Sequence, residues 1–225
     1  MTRRPTTRIL NQNTKRSSHY VTDIIVLRQL RPDIEEAAPE VETIKLLTST
    51  GSLIYKYPAT ATGLAAAIAA AVATNIIYLP ICVIAGDYTI PSEVTLLGTS
   101  RNGSKIQGTI TLGDLSLLET LTVDNNTTGE TDPAVGVYGP ATGYNDDDPT
   151  QEATGYLCDV TVDVGSTAGP SYCVYLTCGG IEATNTELVA LEGTPGYAAY
   201  VEYGTFYHIS GRAVGTESAP YYLDV

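Results

Sequence analysis

From Asn75 onward, short apolar runs alternate with turn residues, and inside the runs apolar and polar positions alternate with a period of two. Val160, Val162 and Val164 fall on one side of such a run, and Thr161 and Asp163 fall on the other. Leu121 and Val123 against Thr122 and Asp124 repeat the pattern one run earlier. A period of two is the signature of a strand with one face buried. Strands are therefore expected over residues 75–80, 90–98, 101–108 and 109–112. Just upstream, Thr62 is placed to cap a helix within residues 59–74, whose Leu64, Ile68 and Val72 recur every four residues on an Ala-rich rod. About three turns of helix are too few to stand alone, so this helix must lie on a neighbour. Residues 1–58 instead mix polar runs with short apolar patches (residues 23–27, 41–47 and 53–57) and carry prolines at 5, 32, 39 and 58. They read as an extended arm that cannot bury enough apolar area by itself and orders against a partner or a sister chain.

A longer period overlies the short one. Gly155, Gly180 and Gly204 are separated by steps of 25 and 24, and Val174, Ala199 and Leu223 by the same two steps. Leu176, Val201 and Val225 form a third column, and Tyr172, Tyr197 and Tyr221 a fourth. Val137-Tyr138 matches Val174-Tyr175 at a step of 37, which is one period plus an insertion. The surplus is expected in residues 139–154, whose Asn145-Asp-Asp-Asp-Pro-Thr150 core has turn chemistry. Repeats of this length indicate a solenoid in which each repeat is one coil.

Composition agrees with strands: 43% of residues are apolar, and the aromatics are 16 Tyr and one Phe with no Trp. Charge adds a division of the chain. Residues 1–32 hold Arg3, Arg4, Arg8, Lys15, Arg16, Arg28 and Arg31 against Asp23 alone, an excess of six positive charges within a total of −13. The rest of the chain is correspondingly acidic. A basic arm on an acidic body is the pattern of an interaction tail, whose partner is an acidic protein surface or a nucleic acid. The protein partner is the favoured one, because the arm has few aromatics to interleave with bases.

Four cysteines (Cys82, Cys158, Cys173, Cys178) form no Cys-x-x-Cys pair, and no secretory signal is visible at the start. The thiols are expected to stay reduced, and the sequons at Asn102, Asn125 and Asn126 to carry nothing. No charge occurs between Lys56 and Asp87, a span long enough to cross a bilayer. Asn75 and Pro80 interrupt it, so a short helix followed by a strand is expected, and no membrane association.

Ile76-Ile-Tyr-Leu-Pro80, Ala85-Gly-Asp-Tyr-Thr-Ile-Pro91, Val94-Thr-Leu-Leu-Gly98 and Asn102-Gly-Ser-Lys-Ile106 resemble the opening coils of pectate-lyase-like right-handed parallel β-helices. Openings of this form recur in phage tailspikes and tail fibres. The resemblance covers about residues 60–225. It implies an all-β fold: a short right-handed parallel β-helix of five or six coils over residues 75–225, a capping helix at residues 59–74, and an N-terminal arm at residues 1–58. It also implies a homotrimer in a tailed-phage virion, with residues 1–58 docking to other virion proteins of the tail or capsid.

Several residues are candidates for chemistry. Glycan hydrolysis needs two carboxylates at a fixed separation, and Asp159, Asp163, Glu187 and Glu192 lie near outward strand positions; solvated acids on an acidic surface are the simpler reading, and no catalytic residue is assigned. Asp146, Asp147 and Asp148 gather oxygen donors suited to Ca²⁺ but lack EF-hand spacing. His19 and His208 are too far apart for a metal site with these cysteines, and Cys173 and Cys178 read as small strand residues. Tyr138, Tyr175 and Tyr200 share the register that sends Val174 and Leu176 inward, so their rings form an outward ladder able to meet another subunit or a sugar. The expectation is a structural virion protein without cofactor, a trimeric tail fibre or tailspike meeting the host and its surface glycans. A capsid cement protein is the alternative, and a polysaccharide-degrading spike the third reading. The chain also closes on an open strand, residues 221–225, which invites a partner or further chain.

Overall fold

The chain divides into two units, Met1–Pro39 and Glu40–Val225. The computed structural model describes residues 42–127, 133–140, 153–192, 194–202, 204–216 and 221–223. Strands β1 (Thr43–Leu47) and β2 (Leu53–Pro58) come first, followed by the helix α1 (Ala61–Ala70). Six successive triplets of strands follow. They are β3 (Ile76–Leu79), β4 (Cys82–Ala85) and β5 (Tyr88–Ile90); β6 (Thr95–Gly98), β7 (Ser104–Gln107) and β8 (Ile110–Leu112); β9 (Leu117–Glu119), β10 (Thr122–Thr127) and β11 (Ala134–Tyr138). The last three are β12 (Thr154–Cys158), β13 (Thr161–Ser166) and β14 (Ser171–Leu176); β15 (Gly180–Thr184), β16 (Thr186–Ala190) and β17 (Gly196–Val201); β18 (Thr205–His208), β19 (Gly211–Gly215) and β20 (Tyr221–Leu223).

The three members of each triplet enter three different sheets, and each strand pairs in parallel with the strand three places on. Sheet 1 has the order β18-β15-β12-β9-β6-β3-β1-β2, sheet 2 the order β19-β16-β13-β10-β7-β4, and sheet 3 the order β20-β17-β14-β11-β8-β5. The fold is all-β, with parallel sheets of many strands. Apolar side chains line up one above another as a result. Sheet 1 contributes Leu46, Ile77, Leu96, Leu118, Leu157 and Ala183; sheet 2 contributes Ile84, Ile106, Val123, Val162 and Leu188; sheet 3 contributes Ile110, Val137, Val174 and Ala199. All are at most 2% exposed and belong to one cluster. The expected alternation holds: Val160, Val162 and Val164 are buried, while Thr161 and Asp163 are not.

Sheets 1 and 2 meet at corners made by a single left-handed residue. Thr120, Asp159 and Asn185 take φ of 55, 57 and 52° at equivalent places in the third, fourth and fifth triplets. Asp and Asn tolerate this region because their short polar side chains bond locally. Asn185 Nδ2 donates to Asp159 Oδ1 at 2.9 Å, and Arg101 Nη2 donates to the same oxygen at 2.7 Å, which ties three triplets together.

The structure departs from the sequence reading in four places. First, residues 43–58, grouped above with the arm, form an antiparallel hairpin that extends sheet 1 through β3. Gly51 at φ 84° allows the tight turn, and Ile44 and Leu46 enter the core. Second, α1 is shorter than residues 59–74. Its cap is Thr60, which is extended and accepts from Gly63 N at 3.1 Å, while Thr62 lies inside the helix. Leu64 and Ala67 are buried and Ile68 packs partly, but Val72 lies past the C-cap and is 66% exposed. Third, the strand expected over residues 90–98 is split into β5 and β6, with Glu93 at φ 60° between them.

Fourth, the columns shift. Val137, Val174 and Ala199 align as expected, as do Tyr172 and Tyr197. Gly180, however, pairs with Thr154 and Thr205, one residue off the glycine column. Ala199 pairs with Tyr221 and Val201 with Leu223, two residues off. The link from sheet 2 to sheet 3 is shorter in the last triplet, since Ala190 pairs with Gly215 in sheet 2 before Ala199 meets Tyr221 in sheet 3. The predicted insertion falls between β11 and β12, and its residues 141–152, with Asp146, Asp147 and Asp148, lie outside the described residues. Residues 1–41, with the seven basic arm residues and His19, lie outside them too.

Candidate functional surfaces

The outer face of sheet 3 carries the tyrosines. In β14 both Cys173 and Val174 point inward at 0% exposure, and in β17 Ala198 and Ala199 do the same. Two consecutive inward residues break the period of two, so residues three apart, Tyr172 with Tyr175 and Tyr197 with Tyr200, emerge on one face. The extra inward position needs small side chains, and Gly136, Cys173 and Ala198 fill it in β11, β14 and β17. A Cβ on Gly136 would lie 2.4 Å from Val162 Cγ1.

Register then stacks the rings. Tyr138, Tyr175, Tyr200 and Tyr222 are successive partners across sheet 3. Tyr138 meets Tyr175 edge-on with centroids 5.5 Å apart, Tyr175 lies 5.4 Å from Tyr200 at 11°, and Tyr200 lies 4.7 Å from Tyr222 at 9°. A second column fills the gaps: Tyr172 is 4.8 Å from Tyr200 and 5.5 Å from Tyr175, and Tyr197 is 5.5 Å from Tyr222. Tyr175 Oη donates to Glu202 Oε1 at 2.5 Å. Burial pushes the hydroxyl pKa values of Tyr138, Tyr172 and Tyr175 above the ordinary tyrosine value. Next in importance are the charge of Asp87 for Tyr138, the neighbouring Tyr200 for Tyr172, and the bond to Glu202 for Tyr175. All three phenols therefore stay protonated at neutral pH.

The structure thus brings the expected ladder of Tyr138, Tyr175 and Tyr200 together, half-buried. It adds Tyr172, Tyr197, Tyr222 and Glu202, which the sequence reading did not assign to it. Tyr172 and Tyr197 were visible as a repeat column, but strict alternation put them on a different footing from Tyr175 and Tyr200. The doubled small inward residues were the missing signal.

Sheet 2 has a charged outer face. Lys105 Nζ pairs with Asp124 Oδ2 at 2.9 Å, Arg212 Nη1 pairs with Glu187 Oε1 at 2.9 Å, and Asn126 Nδ2 donates to Asp124 Oδ1. A polar groove of about 360 Å³ opens here, lined by Gln107, Gly108, Asp124, Asn125 and Asn126. Asp163 sits beside Asp124 in the parallel register. Partial loss of solvent pushes its carboxyl above the usual range, Asp124, Glu187 and Glu192 push the same way, and Lys105 opposes them. Asp159 is drawn off to the corner and paired with Arg101 at 2.7 Å. The four candidate carboxylates are therefore divided between a corner ion pair and the sheet 2 face.

The raised Asp163 makes a pH prediction. A carboxyl whose folded pKa lies above its unfolded one favours folding only while it is protonated, so its ionised form works against stability at neutral pH. Asp163→Asn is expected to raise Tm at pH 7, and the advantage should vanish below the unfolded aspartate value of about 3.9. Thermal melts at pH 7 and in acid measure this, and an equal gain at both pH values would disprove the assignment.

The four cysteines form no disulfide. Cys173 is fully buried and its thiol is pushed up by desolvation; Cys82 is pushed up to about 11 by burial and then by Glu42. Thiols raised in this way are poor nucleophiles. Among the described residues no group of three His, Cys, Asp or Glu side chains is arranged to hold a metal ion, and no helix is long and apolar enough to cross a membrane. No family model, curated protein or solved structure matches the chain.

Proposed function

We propose that this chain is a structural protein of a tailed-phage virion. On this reading the three sheets wind as a short right-handed parallel β-helix, three copies form a tail fibre or tailspike, and the protein carries no catalytic site of its own. The basic segment around Arg3, Arg4, Arg8, Lys15, Arg16, Arg28 and Arg31 anchors it to other virion proteins, and the stacked strands project towards the host.

The observation that carries this reading is the parallel pairing of each strand of a triplet with the equivalent strand of the next, through six triplets. Such a stack is a rigid spacer: each triplet contacts mainly its neighbours, and length is added without changing the cross-section. The burial of Leu64 and Ala67 of α1 against the first strands, and the charge division of the chain, support it. The resemblance of residues 76–106 to tailspike openings points the same way.

The test is to locate the protein in assembled particles by labelling, comparing virions made with the full chain and with a chain lacking residues 1–39, the first unit, which leaves the β1–β2 hairpin in place. Label at the tail, lost on truncation, is the expected result. Label on the shell would replace this reading with a capsid cement protein. Absence from particles would remove the virion reading altogether, and turnover of a host polysaccharide by the purified chain would replace the spacer with a degrading spike.

A further inference from the structure

We infer that the outer face of sheet 3 is the surface through which two copies of this chain meet. For its biological setting the inference rests on the reading of the protein as a multi-copy virion component. The contact itself follows from the chemistry of the face.

Charge singles out this face. The six strands of sheet 3 are Tyr-Thr-Ile, Ile-Thr-Leu, Ala-Val-Gly-Val-Tyr, Ser-Tyr-Cys-Val-Tyr-Leu, Gly-Tyr-Ala-Ala-Tyr-Val and Tyr-Tyr-Leu. They contain no Asp, Glu, Lys, Arg or His. Strands of sheet 2 carry Lys105, Asp124, Asp163, Glu187 and Arg212, and strands of sheet 1 carry Lys45, Lys56, Glu119 and Glu182. Two copies with a formal charge of −13 each repel one another over most approaches. Approach through sheet 3 brings no carboxylate or ammonium of a strand against its counterpart, and Glu202, just past β17, has its carboxylate engaged by the Tyr175 hydroxyl. Interface cores are depleted in Lys, Glu and Asp and enriched in Tyr, as this face is.

The stacking also selects the occupant. A sugar lies flat on the free face of an aromatic ring, but both faces of Tyr200 are taken, by Tyr175 on one side and Tyr222 on the other. Tyr172 packs against Tyr175, Tyr197 and Tyr200. What the ladder offers outward is ring edges and hydroxyls, apolar at the base and polar at the tip, which suits a protein interface. These repeat at the strand spacing of about 4.8 Å. Other copies carry the same repeat, so ladders that face one another around a common axis stay in step along their whole length. A polymer of different period would fall out of step within a few residues.

The test is sedimentation equilibrium on the full 225-residue chain. The wild type is expected to self-associate, and the pair Tyr175→Glu, Tyr200→Glu to weaken association about tenfold or more, which is about 1.4 kcal/mol or more. Thr161→Glu, on the outer face of sheet 2, should leave association unchanged. Equal weakening by Thr161→Glu, or a wild type that stays monomeric up to ~100 μM, a limit equivalent to roughly −5.5 kcal/mol, would overturn the inference.

Two further measurements do not depend on the glutamate pair folding. Tyr200→Phe with Tyr222→Phe keeps the ring stack and the Tyr175–Glu202 bond and removes two hydroxyls, so it should weaken association with unchanged circular dichroism; full retention counts against the contact. With no Trp in the chain, intrinsic fluorescence reports tyrosine. Acrylamide should quench the wild type less as concentration rises, and concentration-independent quenching argues against the contact. Association lost in the tyrosine variants while the chain is absent from particles upholds the contact and removes the virion reading. A particle-bound chain whose association ignores these variants does the reverse.

Discussion

Leu118→Ala is expected to lower stability by about 3 kcal/mol, or roughly 10 °C in Tm. Leu118 is fully buried in the middle of the sheet 1 column, between Leu96 and Leu157. Truncation removes the transfer energy of its methyl groups and leaves a cavity, and the walls cannot close over it because backbone pairing holds the strands above and below. The exposed Val72 is the control, and Val72→Ala should shift stability by no more than about 0.5 kcal/mol. Urea titration followed by circular dichroism measures both. Equal, small shifts in the two variants would show that the column is not the core. The consequence reaches sheet 3, because the same stack of triplets sets the register of the tyrosines.

Gly98→Ala should destabilise the chain by a similar amount, about 3 kcal/mol, although Gly to Ala inside regular structure ordinarily favours the folded state by roughly 0.5–1 kcal/mol. The reason is space. Gly98 ends β6, and a Cβ there would stand 2.3 Å from the carbonyl oxygen of Thr120, 2.8 Å from Ser104 Cβ and 3.0 Å from Leu121 Cβ. The oxygen belongs to the backbone at a left-handed corner of the next triplet, and Ser104 is fully buried, with its hydroxyl donating to the Pro80 carbonyl at 2.8 Å and accepting from Thr99 N at 2.9 Å. None of these groups can swing aside, so the second and third triplets must separate. A melt of Gly98→Ala at or above the wild-type Tm would contradict this geometry.

Much of the fold was legible because strands stacked in parallel expose the same alternation in every repeat. Val160, Val162 and Val164 announce an inward face whatever they pack against, and Val137, Val174 and Ala199 announce a stack because equivalent positions face equivalent surroundings. The doubled inward pair Cys173-Val174 was harder to see. Nothing local says that alternation will slip there, and the slip is what brings Tyr172 beside Tyr175. The hairpin at residues 43–58 was hidden for a related reason: β2 is mostly exposed, so its residues show no buried face, and it is ordered by pairing with β1.

By itself the sequence determined that the chain would form short strands with one apolar face, repeat them with a period near 25 residues, start the repeats after a short helix, and carry seven of its twelve Lys and Arg residues within the first 32. These properties belong to residue type and spacing, and each acts within one strand, one repeat or one charge cluster. Only the tertiary structure decided which strand meets which, that the last register slips by two, and that six tyrosines from four triplets stack on one face while the candidate carboxylates are divided between a corner and a charged sheet. Those outcomes depend on the lengths of the links between sheets and on the fit of small residues such as Gly98, Gly136 and Ala198 against neighbours far away in the chain. Contacts of that kind are settled by the whole stack at once.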